Sequence, residues 1–288
     1  MQKIVRIWGG LGNQMFIYAF AKALEKATGC PVLFDAISHY GSGAPELAGR
    51  GFCLDIFDVD IQFATADQIV DCIGYDNKYL RYILRKLHLK KWIMEDYYCK
   101  FHEEFLENKE SAYYCGYWQN EKYFKPIENT LRTQFTFPDF KDDYNKRTYE
   151  RLANSSNSCF IHIRRSDYQS SDYLSINYYR NAVKYIQERV ENAHFYVFGA
   201  ECPDYIKNEF DIGCNFEFLG ENNTLPENHY EDMRLMTACA NGIIANSSYS
   251  WWGAYLGENR NNRIIVAPTS WLQGKNEIIC DRWVKISG

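Results

Sequence analysis

None of the ten cysteines in this 288-residue chain stands in a C-x-x-C spacing, so zinc ribbons and thioredoxin-type redox motifs are excluded. The closest pair, Cys202 and Cys214, is separated by a turn-rich stretch, while Cys159 and Cys239 lie in apolar runs where a reduced thiol acts as a small hydrophobe. A reducing compartment is expected. Apolar runs of bilayer length are missing too. The longest window without a charge, Leu235 to Gly257, contains Asn241, Asn246, Ser247, Ser248, Ser250 and three glycines. It reads as strand and turn, not as a span, and a mean hydropathy of -0.45 agrees. The opening MQKIVRIWGG has no stretch of signal-peptide length and runs straight into strand-like alternation, so the cytoplasm is the expected setting. Nor is there an excess of positive charge. A net charge of -5 gives no global field to gather nucleic acid, and an anionic ligand must be held by a local cluster. G-x-S-x-G, H-E-x-x-H and G-x-x-x-x-G-K-[ST] are all absent, which removes the commonest hydrolase, zincin and P-loop readings.

What is present suits a soluble globular protein of one large or two ordinary domains, with 46% apolar and 24% charged residues. Aromatics reach 17%, with 23 tyrosines, and such rings line carbohydrate or nucleobase pockets as readily as they fill cores. The first half opens as β-α-β: an alternating run from Lys3 to Trp8, a glycine turn, a helical stretch from Asn13 to Thr28 closed by Gly29, and a strand from Pro31 to Asp35. Residues 37–60 read as a long loop region. Lys78, Arg81, Arg85, Lys86, Lys90 and Lys91 are interleaved with apolar residues at helical spacing, as a solvated helix face or, alternatively, as an interfacial helix on anionic lipid. The polar stretch Asp139 to Ser158 marks the expected boundary, giving domains of 1–145 and 146–288. Beyond it strands and helices alternate regularly, from Cys159 to Ala267, which implies a parallel sheet with helices on both faces.

In such sheets ligands bind beyond the carboxyl ends of the strands, and two strand ends stand out. In Phe160-Ile161-His162-Ile163-Arg164-Arg165, period-two alternation sends His162 and Arg164 to one face, with Arg165 at the exit. Guanidinium forks suit phosphate oxygens, so an anion site is expected, one arginine serving structure while the other binds. In Ile243-Ile244-Ala245-Asn246-Ser247-Ser248 an apolar strand passes through hydroxyl residues into a helix, a ready seat for phosphate as well as an ordinary N-cap.

Two other signals compete. Gly10-Leu11-Gly12-Asn13-Gln14-Met15, with Asp35 ending the second strand, is a dinucleotide fingerprint without its third glycine. Asp58-Val59-Asp60 has the D-x-D form of metal-dependent sugar-nucleotide transferases but reads as loop carboxylates.

Taken together, Gly9-Gly10-Leu11-Gly12-Asn13-Gln14-Met15-Phe16, Gly116-Tyr117-Trp118-Gln119, His162-Ile163-Arg164-Arg165-Ser166-Asp167-Tyr168 and Asn246-Ser247-Ser248-Tyr249-Ser250-Trp251-Trp252-Gly253-Ala254 resemble the bacterial α-1,2-fucosyltransferases of glycosyltransferase family 11, in order and spacing from residue 3 to about 285. The resemblance implies an α/β fold, GT-B-like, of two Rossmann-type halves with a cleft between them, the first mainly acceptor-side and the second binding GDP-fucose. It implies inverting transfer of L-fucose from GDP-fucose to the 2-hydroxyl of a terminal β-galactose, without an obligatory metal or other cofactor. The acceptor would be a galactose-terminated oligosaccharide or lipid-linked glycan of lipopolysaccharide or O-antigen, with the enzyme cytoplasmic or peripheral at the inner membrane.

By the same resemblance Arg164 lies on the donor diphosphate with His162 beside it, and Arg165 joins the donor site. Asp232 meets guanine, Asn246 joins the donor site, Ser247 and Ser248 hold the β-phosphate, and Gly12 and Asn13 close over the donor from the other half. Tyr117, Trp118 and Gln119 are the candidates for stacking on galactose and reading its hydroxyls. Two departures are visible: Ser166 stands where the family usually has glycine, and the acidic segment after the next strand reads Phe198-Gly199-Ala200-Glu201. Glu95, Asp96 and Glu121 are open candidates for the base. A sugar-nucleotide or dinucleotide oxidoreductase and a non-catalytic glycan-binding protein remain the competing classes.

Overall fold

A computed structural model describes residues 2–37, 51–73, 83, 92–95, 99–165, 172–259, 262–271 and 277–288. The basic 78–91 stretch, apart from Ile83, lies outside these residues, as do most of the 37–60 loop's first half, Asp96, and Ser166, Asp167 and Tyr168.

The chain forms two compact units, Met1–Phe137 and Pro138–Gly288. In the first, β1 (Lys3–Arg6), α1 (Leu11–Thr28), β2 (Val32–Asp35), α2 (Ala66–Ile73), β3 (Trp92–Met94), α3 (Glu103–Glu107), β4 (Ala112–Cys115) and α4 (Glu128–Gln134) follow in order. The strands form a parallel sheet ordered β2-β1-β4-β3. Helix α1 is buried over most of its length, from Leu11 to Leu24. It stops at Gly29, which takes the left-handed conformation at φ 67 and donates its N–H to Glu25 O, an end that glycine accepts without a Cβ clash.

The second unit carries α5 (Asp143–Ala153), β5 (Ser158–His162), α6 (Ile176–Gln187), β6 (His194–Phe198), α7 (Pro203–Asn208), β7 (Phe216–Phe218), α8 (Glu231–Ala238), β8 (Asn241–Ile243), α9 (Ser248–Leu256), β9 (Ile265–Pro268) and β10 (Val284–Ile286). Its strands make a six-stranded parallel sheet ordered β10-β9-β8-β5-β6-β7. All residues of β5 are buried, as a central strand covered on both faces requires. Ile161 and Ile163 on one side of it pack with Tyr178, Tyr179 and Val183 of α6 and with Val197 of β6.

The units divide earlier than the expected 145/146 boundary. The segment expected to separate them contains a helix of the second unit: Asp142 caps α5, its side chain accepting from Asn145 N. Pro138 is fixed by Arg234, whose Nη2 donates to its carbonyl at 2.8 Å, and Phe140 lies 4.1 Å under the Arg234 guanidinium.

Candidate active site

Strands β5 and β8 are neighbours, in register at Ile161 and Ile243. From β5 the chain leaves toward β6 and β7, then returns through β8 to β9 and β10. The connections therefore diverge between the carboxyl ends of β5 and β8, the topological switch point where open α/β sheets hold ligands. The two strand ends singled out in the sequence are these two.

His162 ends β5 and is 3% exposed. Its ring lies 5.8 Å from that of Tyr249, and among the described residues its Nδ1 makes no hydrogen bond. Burial, with Arg164 adding to it, pushes its pKa down to about 3, so at neutral pH it is an uncharged imidazole. Arg164 follows on the same side. Its Nη1 donates to Glu201 Oε1 at 3.2 Å, and its side chain is 10% exposed against 20% for Glu201. Toward Glu201 it uses one Nη atom. Arg151, by contrast, grips Glu217 with both Nη atoms at 2.8 and 2.7 Å, the geometry of a fixed scaffold pair.

Arg165 is placed otherwise than expected. Alternation turns it away from Arg164, and its guanidinium rests 3.3 Å from the centre of the Tyr205 ring and 4.9 Å from that of Tyr173. It stacks there on aromatic faces, while Arg164 stays close enough to His162 to act on its charge.

At the other strand end, Asn246 is buried and its Nδ2 donates to Asp172 O at 2.9 Å. Ser247 is the N-cap of α9, its hydroxyl accepting from Tyr249 N; Ser248 is the half-buried first residue of that helix. The Tyr249 hydroxyl accepts from Met233 N at 2.9 Å and donates to His229 O at 2.8 Å, which ties the start of α9 to the start of α8. Asp232, in the first turn of α8, is 8% exposed. Burial, and then the nearby charges of Glu201 and Glu231, push its pKa up to about 7 against the pull of Asn223.

The first unit repeats the arrangement. Strand β1 lies between β2 and β4, so Gly9 to Asn13 after β1 and Gly116 to Gln119 after β4 emerge side by side at its switch point. Gly9 sits at φ +78, and a Cβ there would fall 2.8 Å from Asn13 Nδ2. Gln119 Nε2 donates to Asn13 Oδ1 at 2.8 Å, Trp8 Nε1 donates to Gly116 O, and Trp8 stacks on Tyr117 at 4.6 Å. Gly12 is buried in the first turn of α1.

Trp118 cannot stack on a sugar. It is 0% exposed, with its ring flat on Phe20 at 4.1 Å and edges toward Phe105, Tyr114 and Tyr123. Its left-handed backbone, φ 56, turns the ring inward. Gln119, 8% exposed, is occupied by Asn13 and by Cys99 Sγ at 3.8 Å, so of this trio Tyr117 keeps a partly open ring. Trp118→Ala is expected to cost about 3–5 kcal/mol of stability, as for other large aromatics removed from a core, which a denaturant melt measures. Glu95, a base candidate in the sequence, instead accepts from Tyr117 N at 2.5 Å and Gln119 N at 3.1 Å and so builds this turn. Asp35, the would-be ribose reader of a dinucleotide site, is 0% exposed and accepts from the Tyr113 hydroxyl at 2.6 Å, so it is closed to a cofactor. Among the described residues no group of three or more His, Cys, Asp or Glu side chains could hold a metal ion.

The profile of glycosyl transferase family 11 matches residues 68–287. The chain belongs to glycosyl transferase family 11. This family 11 protein is 33% identical to an alpha-1,2-colitosyltransferase of Escherichia coli, over 98% of each chain. It is 28% identical to the O-antigen biosynthesis glycosyltransferase WbnK of Escherichia coli, over 96% of its own length and 98% of that protein. Among solved structures it resembles the NodZ alpha-1,6-fucosyltransferase co-crystallized with GDP, at 12% identity and a TM-score of 0.50, covering 88% of this chain and 92% of that one. That likeness concerns the fold alone, which is the GT-B-like α/β class expected from the sequence. The chain is thus a glycosyltransferase, and among its described residues no helix is long and apolar enough to cross a membrane.

Sequence reasoning missed Glu201 as the partner of Arg164 and Asn223 as the partner of Asp232. Both follow strands whose ends were recognisable, but a single acidic or amide residue in a loop carries no spacing signal.

Proposed function

We propose that this family 11 enzyme transfers L-fucose from GDP-fucose, with inversion, to the 2-hydroxyl of a terminal β-galactose, without a required metal. The observation that carries the reading is the meeting at one switch point of Arg164, neutral His162 and the α9 N-terminus, with buried Asp232 nearby. A nucleoside diphosphate needs that combination: a guanidinium and backbone N–H groups for the phosphates, and a carboxylate for the paired N1–H and N2–H of guanine.

In the reaction the acceptor oxygen attacks the anomeric carbon as its proton passes to a base, and the bond from that carbon to the β-phosphate oxygen breaks. GDP leaves with the electron pair. Arg164, released from Glu201 by the stronger phosphate anion, and the helix end meet the charge that develops on the leaving group. His162, uncharged, offers the leaving group a hydrogen bond without competing for its negative charge. Ser247 and Ser248 border the β-phosphate. Tyr117 offers a ring face to the galactose.

A second reading is favoured by the 33% identical relative, which transfers colitose, a sugar that differs from fucose by the missing 3-hydroxyl. Incubation with lactose and either GDP-fucose or GDP-colitose, scored by product mass, separates the two. Fucosyl-lactose is the expected product; transfer from GDP-colitose alone would overturn the donor assignment. WbnK as a relative supports a lipid-linked O-antigen precursor as the natural acceptor, and with it a cytoplasmic enzyme working at the inner membrane.

A further inference from the structure

Asp232 sits at the end of a buried polar chain. Its Oδ1 accepts from Asn223 Nδ2 at 2.8 Å. Asn223, 6% exposed, and Asn145, 2% exposed, pair amide to amide: Asn145 Nδ2 donates to Asn223 Oδ1 at 3.0 Å, and Asn223 Nδ2 donates to Asn145 Oδ1 at 3.2 Å. Asn145 Nδ2 also donates to Asp142 Oδ2 at 2.9 Å, while its backbone N–H donates to Asp142 Oδ1 at 2.7 Å.

A carboxylate only accepts, so Asp142 at one end fixes which way the Asn145 amide faces, and Asn145 fixes Asn223. Each amide then has both of its hydrogens committed. Asn223 has none left for a ligand and cannot itself read a base. Asp232 Oδ2, by contrast, takes no hydrogen bond from the described residues. It borders Gly220, where a Cβ would lie 3.2 Å from that oxygen and 2.9 Å from Gly199 N, so a side chain at 220 would fill the space beside it.

We propose that Asn223, locked by Asn145 and Asp142, is a positioning residue for base recognition: it fixes the plane of the Asp232 carboxyl and donates to its charged form, leaving Oδ2 and the second lone pair of Oδ1 for a purine with paired N–H donors. This rests on the reading of Asp232 as the guanine contact. The holder is needed because the surroundings oppose a charge there. Glu201 after β6 and Glu231 on the same helix are both acidic, Asp142 heads α5, and Lys141 and Arg234 interact with Glu231; α9 contributes the uncharged Tyr249. An N–H donated to the charged form offsets this.

The test is calorimetric titration of the full chain with GDP, with inosine diphosphate, which lacks the 2-amino group, and with ADP, at several pH values. Asn223→Ala is expected to weaken GDP binding about 10- to 100-fold, as when a hydrogen bond to a charged group is lost. It should also erase the preference for GDP over inosine diphosphate and move the pH profile of binding upward. Asn145→Ala, which keeps the direct contact and removes only its lock, should shift the same readouts by less. Equal losses for both nucleotides with an unmoved pH profile would mean a merely structural role and overturn the proposal, as would wild-type behaviour. If Asn223→Ala fails to fold, Asn145→Ala decides by the same criteria. A wild-type protein that binds ADP as well as GDP would overturn the reading of Asp232 itself.

Discussion

Arg164→Ala is expected to leave a folded protein whose rate of transfer falls by about a hundredfold to a thousandfold or more, the usual effect of removing one group that meets developing charge. The fold should survive because the Glu201 carboxylate, 3.2 Å away, is partly exposed and can be hydrated without its partner, and the loss of Arg164 removes a charge that disfavours protonation of His162. Arg164→Lys should recover little, since an ammonium lacks the planar fork that two phosphate oxygens require. Initial rates with GDP-fucose and lactose, beside a melting curve, measure both halves of the expectation. A soluble variant with wild-type turnover would remove Arg164 from the mechanism.

The second large effect falls on Asp232→Asn. The change puts an amide donor where guanine presents two donors of its own, and GDP affinity should drop by at least about a hundredfold. The pH dependence has a definite sign. In the nucleotide-free protein the Asp232 pKa stands at about 7, above the ordinary value of 3.8. The folded state therefore holds this proton more tightly than the unfolded chain. The stability this gives is fully present below 3.8 and is lost as pH rises through about 7. Guanine recognition runs the opposite way, because it needs the carboxylate. GDP should bind more tightly as pH rises through the same window, and the gain in melting temperature on adding GDP should grow with it. Asp232→Asn should flatten that dependence, and titrations on both sides of neutrality decide the matter.

Much of the second unit was legible because its strands are buried on both faces. Apolar runs such as Cys159–Ile161 and Ile243–Ala245 have no amphipathic alternative, and the polar residues ending them fall at the switch point by topology. Helix α5 was illegible for the opposite reason. Its buried residues are Asn145, Thr148 and Leu152, so no apolar stripe advertises a helix, and the segment looked like a linker. Trp118 shows a different limit. A tryptophan in a family motif looks the same whether it meets a sugar or a core, and only the left-handed backbone at that position, held by Glu95 on both sides, decides. For the tandem arginines, strand alternation separated them in the sequence; what could not be foreseen is that Tyr205, in the second helix after that strand, would take Arg165.

Helix α9 is buried without a break from Ser250 to Tyr255, more than one full turn, so every side of it faces protein. A field at an open surface collapses within about 8 Å at physiological ionic strength. Beyond the half-buried Ser248 and Tyr249, dissolved ions cannot come alongside the peptide dipoles, so added salt should screen the buried turns of this helix less than its open first turn.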